Sequence, residues 1–118
     1  MMKRFKYPLE GVRRLLNKDT HFFLHVITAI IVVILSVIFK LSITEWLFII
    51  SAIFLVLITE ALNTSIEEVV DLATNEFHLN AKYAKDIASF AVLLSSVYAV
   101  IIGVIIFLPK ILKLLGVF

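Results

Sequence analysis

The chain has 118 residues, of which 62% are hydrophobic and 17% are charged, and its mean hydropathy is +1.09. A water-soluble domain of this size needs polar side chains over most of its surface, so the composition excludes that class and predicts a surface covered largely by lipid. The net charge is only +2, and the absence of cysteine excludes disulfides, thiolate nucleophiles and cysteine-ligated zinc.

The first predicted element is an amphipathic helix over residues 3–19. Six of the eleven Lys and Arg residues of the chain lie within the first eighteen residues. Such a basic segment is typical of proteins that bind nucleic acid or an anionic membrane, and the apolar remainder of the chain favours the membrane and no nucleic acid. We expect this helix to lie in the membrane surface with its basic face on lipid phosphates, or to pack on the protein's own spans.

Three apolar runs follow and predict three transmembrane helices, at about residues 21–39, 45–73 and 83–108. A helix needs about 20 residues to cross the bilayer core, and the middle run reaches that length only if the polar residues after Thr59 continue the same helix. Helices are expected because unpaired backbone groups are costly in lipid. The sequence therefore predicts an all-α membrane protein with a single domain, residues 1–118.

The basic residues also predict the orientation of the chain. With the N-terminus in the cytoplasm, eight Lys and Arg residues lie inside and three lie outside. The excess of positive charge on cytoplasmic segments favours this topology. It places the N-terminal helix and the connection between the second and third spans on the same side.

A stripe of oxygen-bearing side chains runs along the second predicted span. At 100° per residue, Asn63, Glu67 and Asp71 lie at about −60°, −20° and +20° from Glu60, so the four share one face over about 16 Å of helix axis. Glu68 lies about 80° away and is expected to be peripheral.

Carboxylates within a membrane helix are costly and usually functional. Because neighbouring carboxylates repel each other unless cations intervene, the stripe favours Mg²⁺ or Ca²⁺, which prefer oxygen ligands. Glu67, Glu68 and Asp71 alone are also compatible with ordinary surface charges. Glu60 is not, because an apolar run precedes it almost directly.

Other polar residues are expected on the same side of the membrane as this stripe: Asp19, Glu76, His78, Lys85 and Asp86. Together with a metal ion, they suggest binding of an anionic ligand such as a nucleotide. Only three glycines are present, and no P-loop or kinase-type glycine loop occurs. If the ligand is ATP, its phosphates must be held by metal, lysine and polar side chains.

His21 and His25 have the i, i+4 spacing of a zinc-binding pair, but no HExxH motif surrounds them. A polar contact at the membrane interface is the favoured interpretation of His25.

The pattern Glu60, Asn63, Glu67 and Asp71, followed by Lys85-Asp86, resembles the signature of the small bacterial diacylglycerol kinase and undecaprenol kinase family. The resemblance covers nearly the whole chain, including the approach from Asp19 to the first span and the order of the three spans. It implies a homotrimer in the bacterial cell membrane. The N-terminus and the active sites would face the cytoplasm, and each active site would be shared between neighbouring subunits.

The resemblance also implies roles for individual residues. Glu60 would be the general base that takes the proton of the lipid hydroxyl, with Asn63 beside it, and Asp19 and Glu67 would bind Mg²⁺. Asp71 would support the site. The residues implied to bind the nucleotide are Tyr7, Asp19, Glu67, Glu76, Phe77, His78, Lys85 and Asp86.

The implied activity is ATP-dependent phosphorylation of a membrane lipid alcohol, most of all undecaprenol, with diacylglycerol as the alternative substrate. The chain departs from the family pattern at Asp19, where Glu is common, and at Phe90, where a small residue is usual. His25, where some members carry Glu, resembles the branch that prefers undecaprenol. A small oligomeric transporter or channel that relays protons or cations through Glu60, and a membrane scaffold without chemistry, are the alternatives of other classes.

Overall fold

The computed structural model describes residues 2–117, with the side chains of residues 4–117. Within these residues the chain forms four helices and no strand: α1 (Met2–Lys18), α2 (Thr20–Ile38), α3 (Ile43–Ala73) and α4 (Leu79–Leu114). The predicted all-α architecture, an N-terminal helix followed by three membrane-spanning helices, is confirmed. Met1 and Phe118, the ends of the predicted domain, lie outside the described residues.

Helices α2, α3 and α4 are each long and apolar enough to cross a membrane, with apolar windows of mean hydropathy 2.6, 2.1 and 2.7. Helix α3 has 31 residues and α4 has 36. At 1.5 Å per residue they are about 46 and 54 Å long, well beyond a hydrocarbon core about 30 Å thick. The polar ends of α3 and α4 therefore project out of the hydrocarbon core.

Helix α3 starts earlier than the predicted residue 45 because Ser42 and Glu45 form a capping box. The Glu45 N–H donates to the Ser42 hydroxyl at 3.2 Å, and the Ser42 N–H donates to the Glu45 carboxylate at 3.0 Å. The turn that precedes this cap is tight, since Lys40 takes a left-handed conformation with φ of 54° and ends α2.

Helix α4 extends beyond its predicted bounds at both ends. It begins at Leu79, which shortens the connection from α3 to residues 74–78, and it continues through Pro109 to Leu114. Proline removes a backbone donor but does not end the helix here. The turn after Pro109 is held to the start of α3 by an ion pair of 3.0 Å between Lys110 and Glu45.

A cluster of buried apolar side chains lies at the end of the bundle opposite Glu60. Leu41, Ile49 and Ile106 form the buried cluster there, and the rings of Phe39 and Phe107 meet edge to face with centroids 6.0 Å apart. Most other large apolar side chains are exposed. Such exposure is consistent with a surface that faces lipid, because the chain has too few polar groups to cover it.

Small and hydroxyl side chains let the helices approach each other nearer to Glu60. Ala52, Ala88 and Ser95 are buried, and the hydroxyls of Thr59 and Ser95 lie 2.7 Å apart across α3 and α4. Small residues at helix–helix contacts are typical of membrane bundles. The contact fixes α4 against α3 one residue before Glu60.

We predict that Ile49→Ala destabilises the fold by about 2–4 kcal/mol, because it leaves a cavity in the buried cluster. Ile49 is 3% exposed, whereas the adjacent Ile50 is 43% exposed. Ile50→Ala is therefore the matched control, with an expected change within about 0.5 kcal/mol. Unfolding of the purified variants by SDS in mixed micelles measures both, and equal losses would contradict the proposed core.

Candidate active site

The predicted stripe on α3 changes in exposure along its length. Glu60 is 5% exposed and lies among the helices, Asn63 and Glu67 are half-buried, and Asp71 is exposed near the end of α3. One helix face therefore leads from a buried carboxylate to the polar end of the bundle. Periodicity places these side chains on one face of the helix. Their exposure increases along that face because the helix emerges from the apolar bundle.

Asp19 joins this stripe from the junction between α1 and α2. Its side chain caps α2 by accepting a hydrogen bond of 2.9 Å from the His21 N–H, and its other oxygen accepts one of 2.7 Å from the Thr64 hydroxyl. The Asp19 carboxyl also lies close enough to the Glu60 carboxyl for the two groups to interact electrostatically. Two carboxyl groups this close repel each other unless a proton or a cation lies between them.

The surroundings of Asp19 favour its charged form. Partial burial by itself raises the pKa of this carboxyl, but the hydrogen bond from the Thr64 hydroxyl, the nearby Glu60 carboxyl and the N–H groups of Phe22 and His21 together outweigh burial. The pKa of Asp19 is therefore held below its usual range. Asp19 is an anion at neutral pH and is available to a cation.

Asn63 links the buried and exposed parts of the stripe. Its Nδ2 donates to Glu67 Oε1 at 3.3 Å, while its Oδ1 is buried and accepts no hydrogen bond from any described residue. A buried acceptor without a partner is costly, so a ligand that supplies a donor or a cation is favoured there.

The side chains around Glu60 fit a magnesium ion that is shared with phosphates. Residues 2–117 contain no group of three His, Asp or Glu side chains arranged to hold a metal by themselves. Mg²⁺ at phosphoryl-transfer sites is commonly held by one or two carboxylates, with phosphate oxygens and waters completing its shell. Asp19 and Glu67 supply that number of carboxylates. Asp19 accepts a hydrogen bond from Thr64, and Glu67 accepts one from the adjacent Asn63.

A cavity of about 440 Å³ lies between the end of α3 and the start of α4. Within it Lys85 pairs with Asp71 at 2.8 Å, and Lys82 pairs with Asp86 at 2.7 Å. Six residues implied in the site line it: Asp71, Glu76, Phe77, His78, Lys85 and Asp86. The volume is that of a small-molecule pocket, and the paired lysines are positive charges that an anionic ligand can engage.

The loop that closes this cavity is shaped by Thr74. The Thr74 hydroxyl accepts a hydrogen bond from the Glu76 N–H and donates one to the Glu76 carbonyl, both at 3.2 Å. This local turn presents Glu76, Phe77 and His78 on the cavity side.

An apolar groove of about 360 Å³ lies on the other side of Glu60, between α2, α3 and α4. Its walls are mostly aliphatic, and His25 lines its polar end. The His25 Nε2 lies 3.9 Å from the Glu60 carboxylate. Glu60 itself lines neither space: along α3 it lies one turn after Val56, which lines the groove, and about 15 Å before Val70, which lines the cavity.

Not every implied site residue joins these groups. Tyr7 is 70% exposed on α1 and forms no hydrogen bond with a described residue, and Phe90 is 55% exposed. Phe77 lines the cavity but is 81% exposed.

Three contacts near the site were absent from the sequence prediction. Thr64 bonds Asp19, Lys18 forms an ion pair with Glu68, and Lys82 pairs with Asp86. The i, i+4 spacing of Lys82 and Asp86 is a signal that sequence alone provides. The other two join segments far apart in the chain, and no local pattern indicates them.

The chain was compared with known proteins. The model of the family described as prokaryotic diacylglycerol kinase matches residues 6–107. The undecaprenol kinase of Bacillus subtilis is 39% identical over 108 residues, which cover 92% of this chain and 88% of that protein. The diacylglycerol kinase of Escherichia coli K12 is 30% identical over 101 residues, covering 86% of this chain and 83% of that protein.

The diacylglycerol kinase of Synechocystis is 34% identical over 116 residues, covering 98% of this chain and 66% of that protein. These similarities confirm both the resemblance and the predicted enzyme class, a lipid kinase: the chain belongs to the prokaryotic diacylglycerol kinase family.

Proposed function

We propose that this enzyme transfers the γ-phosphoryl group of ATP to the hydroxyl of undecaprenol, at a site built around Glu60. The observation that carries the proposal is the position of Glu60, which is buried on α3 between the residues of that helix that line the apolar groove and those that line the polar cavity. A lipid alcohol can approach from the groove while a nucleotide occupies the cavity. Both reactants then meet where one carboxylate separates apolar from polar surroundings.

In the proposed reaction Glu60 is the general base. The proton of the lipid hydroxyl passes to the Glu60 carboxylate, the lipid oxygen forms a bond to the γ-phosphorus, and the bond between that phosphorus and the ADP oxygen breaks. Phosphoryl transfer depends mostly on positioning and on neutralising charge, so one base and a set of cations suffice. Asn63, whose Oδ1 has no partner among the described residues, is proposed to assist the base through its side-chain amide.

Asp19 and Glu67 are the proposed protein ligands of Mg²⁺. When bound, this ion would neutralise charge on the phosphates of ATP. Asn63 donates to Glu67 and the adjacent Thr64 donates to Asp19, which supports placing both carboxylates at one ion.

The cavity between α3 and α4 is the proposed place for the nucleotide. Lys85 already bonds the carboxylate of Asp71, and a phosphate group competes with a carboxylate for an ammonium donor. Glu76, Phe77 and His78 are proposed to contact the rest of the nucleotide. Tyr7, exposed on α1, would reach it only from the surface helix.

Undecaprenol is proposed over diacylglycerol on two grounds. The relative named undecaprenol kinase matches over most of both chains. In addition, we propose that the apolar groove ending at His25 admits the hydroxyl end of one continuous chain more readily than a head group that carries two chains. Diacylglycerol remains the alternative substrate, since other relatives are named diacylglycerol kinases.

The assembly and orientation are proposed to follow the family. The chain would form one domain over residues 1–118, assembled as a homotrimer in the bacterial cell membrane, with active sites shared between neighbours. The N-terminus, the end of α3 and the start of α4 would face the cytoplasm, as the distribution of Lys and Arg indicates.

Glu60→Gln is expected to lower turnover of undecaprenol by about 10²- to 10⁴-fold, because the amide cannot accept the hydroxyl proton. The matched control is Glu10→Gln, which makes the same change at an exposed position of α1 and should leave turnover unchanged. The measurement is transfer of label from γ-labelled ATP to lipid in nanodiscs.

Unchanged turnover by Glu60→Gln would rule out its role as the base. Ion flux into liposomes without ATP consumption, lost in the same variant, would favour a proton or cation channel instead.

With both lipids offered in the same nanodiscs, we expect kcat/KM to be higher for undecaprenol than for diacylglycerol. The physical reason is that the apolar groove ends at His25, and we expect a hydroxyl at the end of one continuous chain to enter it more readily than a hydroxyl on a head group that carries two chains. The phosphorylated products are separated by chromatography and counted. A preference for diacylglycerol would contradict the assignment of substrate while leaving the lipid kinase activity intact.

A further inference from the structure

We infer that Thr64 is a positioning residue that holds the Asp19 carboxylate in the site. The inference rests on the proposed function, in which Asp19 is a ligand of Mg²⁺. The Thr64 hydroxyl donates to Asp19 Oδ2 at 2.7 Å across 45 residues of sequence. Both side chains are half-buried, so the contact is partly shielded from solvent.

Asp19 needs such a contact because of where it lies in the chain. It is the single residue between α1, which ends at Lys18, and α2, which begins at Thr20. Its backbone is extended, with φ of −108° and ψ of 101°. The direction of its side chain therefore depends on how this junction is held against α3, and α1 provides little burial because nearly all its side chains are exposed.

Among the described residues, two polar side-chain contacts join the junction to α3, and they come from one face of that helix. Thr64 bonds Asp19, and Glu68, one turn further along, forms an ion pair with Lys18. The Lys18 and Glu68 side chains are 64% and 51% exposed. Exposed ion pairs contribute little to stability, so Thr64 provides the stronger of the two contacts.

The hydrogen bonds of Asp19 leave room for a cation. One oxygen accepts from the His21 N–H and the other accepts from Thr64. A carboxylate has about four lone-pair positions, so the bond from Thr64 uses one position of Oδ2 and does not by itself exclude a metal ion from that oxygen. Thr64 thus orients the carboxylate without using all of its lone-pair positions, as hydrogen-bond partners of metal ligands commonly do.

The test compares Thr64→Val, which removes the hydroxyl at nearly constant shape, with Thr64→Ser, which keeps it. Thr44→Val makes the same substitution about 30 Å away on α3 and serves as the control. Binding of Mn²⁺, used in place of Mg²⁺, is followed by electron paramagnetic resonance with a non-hydrolysable ATP analogue and no lipid substrate. The Mg²⁺ concentration that gives half-maximal turnover is measured in parallel.

We expect Thr64→Val to weaken Mn²⁺ binding by about tenfold or more and to raise the half-maximal Mg²⁺ concentration by a similar factor. Turnover at saturating Mg²⁺ should largely recover, and Thr64→Ser and Thr44→Val should resemble the unsubstituted enzyme. Circular dichroism verifies the helical content. If Thr64→Val does not fold, Thr64→Ala removes the same hydroxyl and takes its place.

Unaltered Mn²⁺ binding by Thr64→Val would overturn the inference, as would a Thr64→Ser variant that is equally weakened or an unsubstituted enzyme that binds no Mn²⁺. An unsubstituted enzyme that phosphorylates no lipid would instead overturn the proposed function. The comparison of Mn²⁺ binding among the variants would still decide the role of Thr64.

Discussion

Glu60 is an acidic side chain that is nearly buried in a bundle whose outer surface is apolar. An ionised group in such surroundings is costly, and the cost falls only if charges and hydrogen-bond partners gather around it. The groups that gather here are the Asp19 carboxyl, the His25 imidazole and, one turn away, Asn63. A further carboxylate does not relieve the cost, so the cluster is best suited to a state in which a cation or a proton is present.

The need for a cation or a proton near Glu60 connects features that are separate in the fold. The α1–α2 junction brings Asp19 to α3, and the length of α3 carries the polar face from the bundle interior to the cavity. From Glu60 to Asp71 the helix rises about 16 Å, which lets one element contact both an apolar groove and a polar pocket. A lipid kinase must join a substrate dissolved in the bilayer to one dissolved in water, and α3 spans that boundary.

The apolar runs predict the three spans and the burial of Glu60, and helical periodicity predicts the stripe on α3, because each depends on the local sequence of one helix. The bounds of the helices were less predictable. Helix α3 begins at Ile43 because of a side-chain cap, and α4 passes through Pro109. The contact between Thr64 and Asp19 could not be predicted from the sequence, since it depends on the angle at which α1 and α2 meet. The roles of Tyr7 and Phe77 came from family resemblance, and the structure leaves both side chains exposed.

The most direct test of a single phosphoryl-transfer site around Glu60 is crystallographic. Crystals of the enzyme with Mn²⁺ and a non-hydrolysable ATP analogue would locate the metal by its anomalous scattering. We predict a peak in contact with Asp19 and Glu67, with the terminal phosphate on the side that faces Glu60. A metal bound only beside Lys82 and Asp86, with the nucleotide phosphates directed away from Glu60, would contradict it.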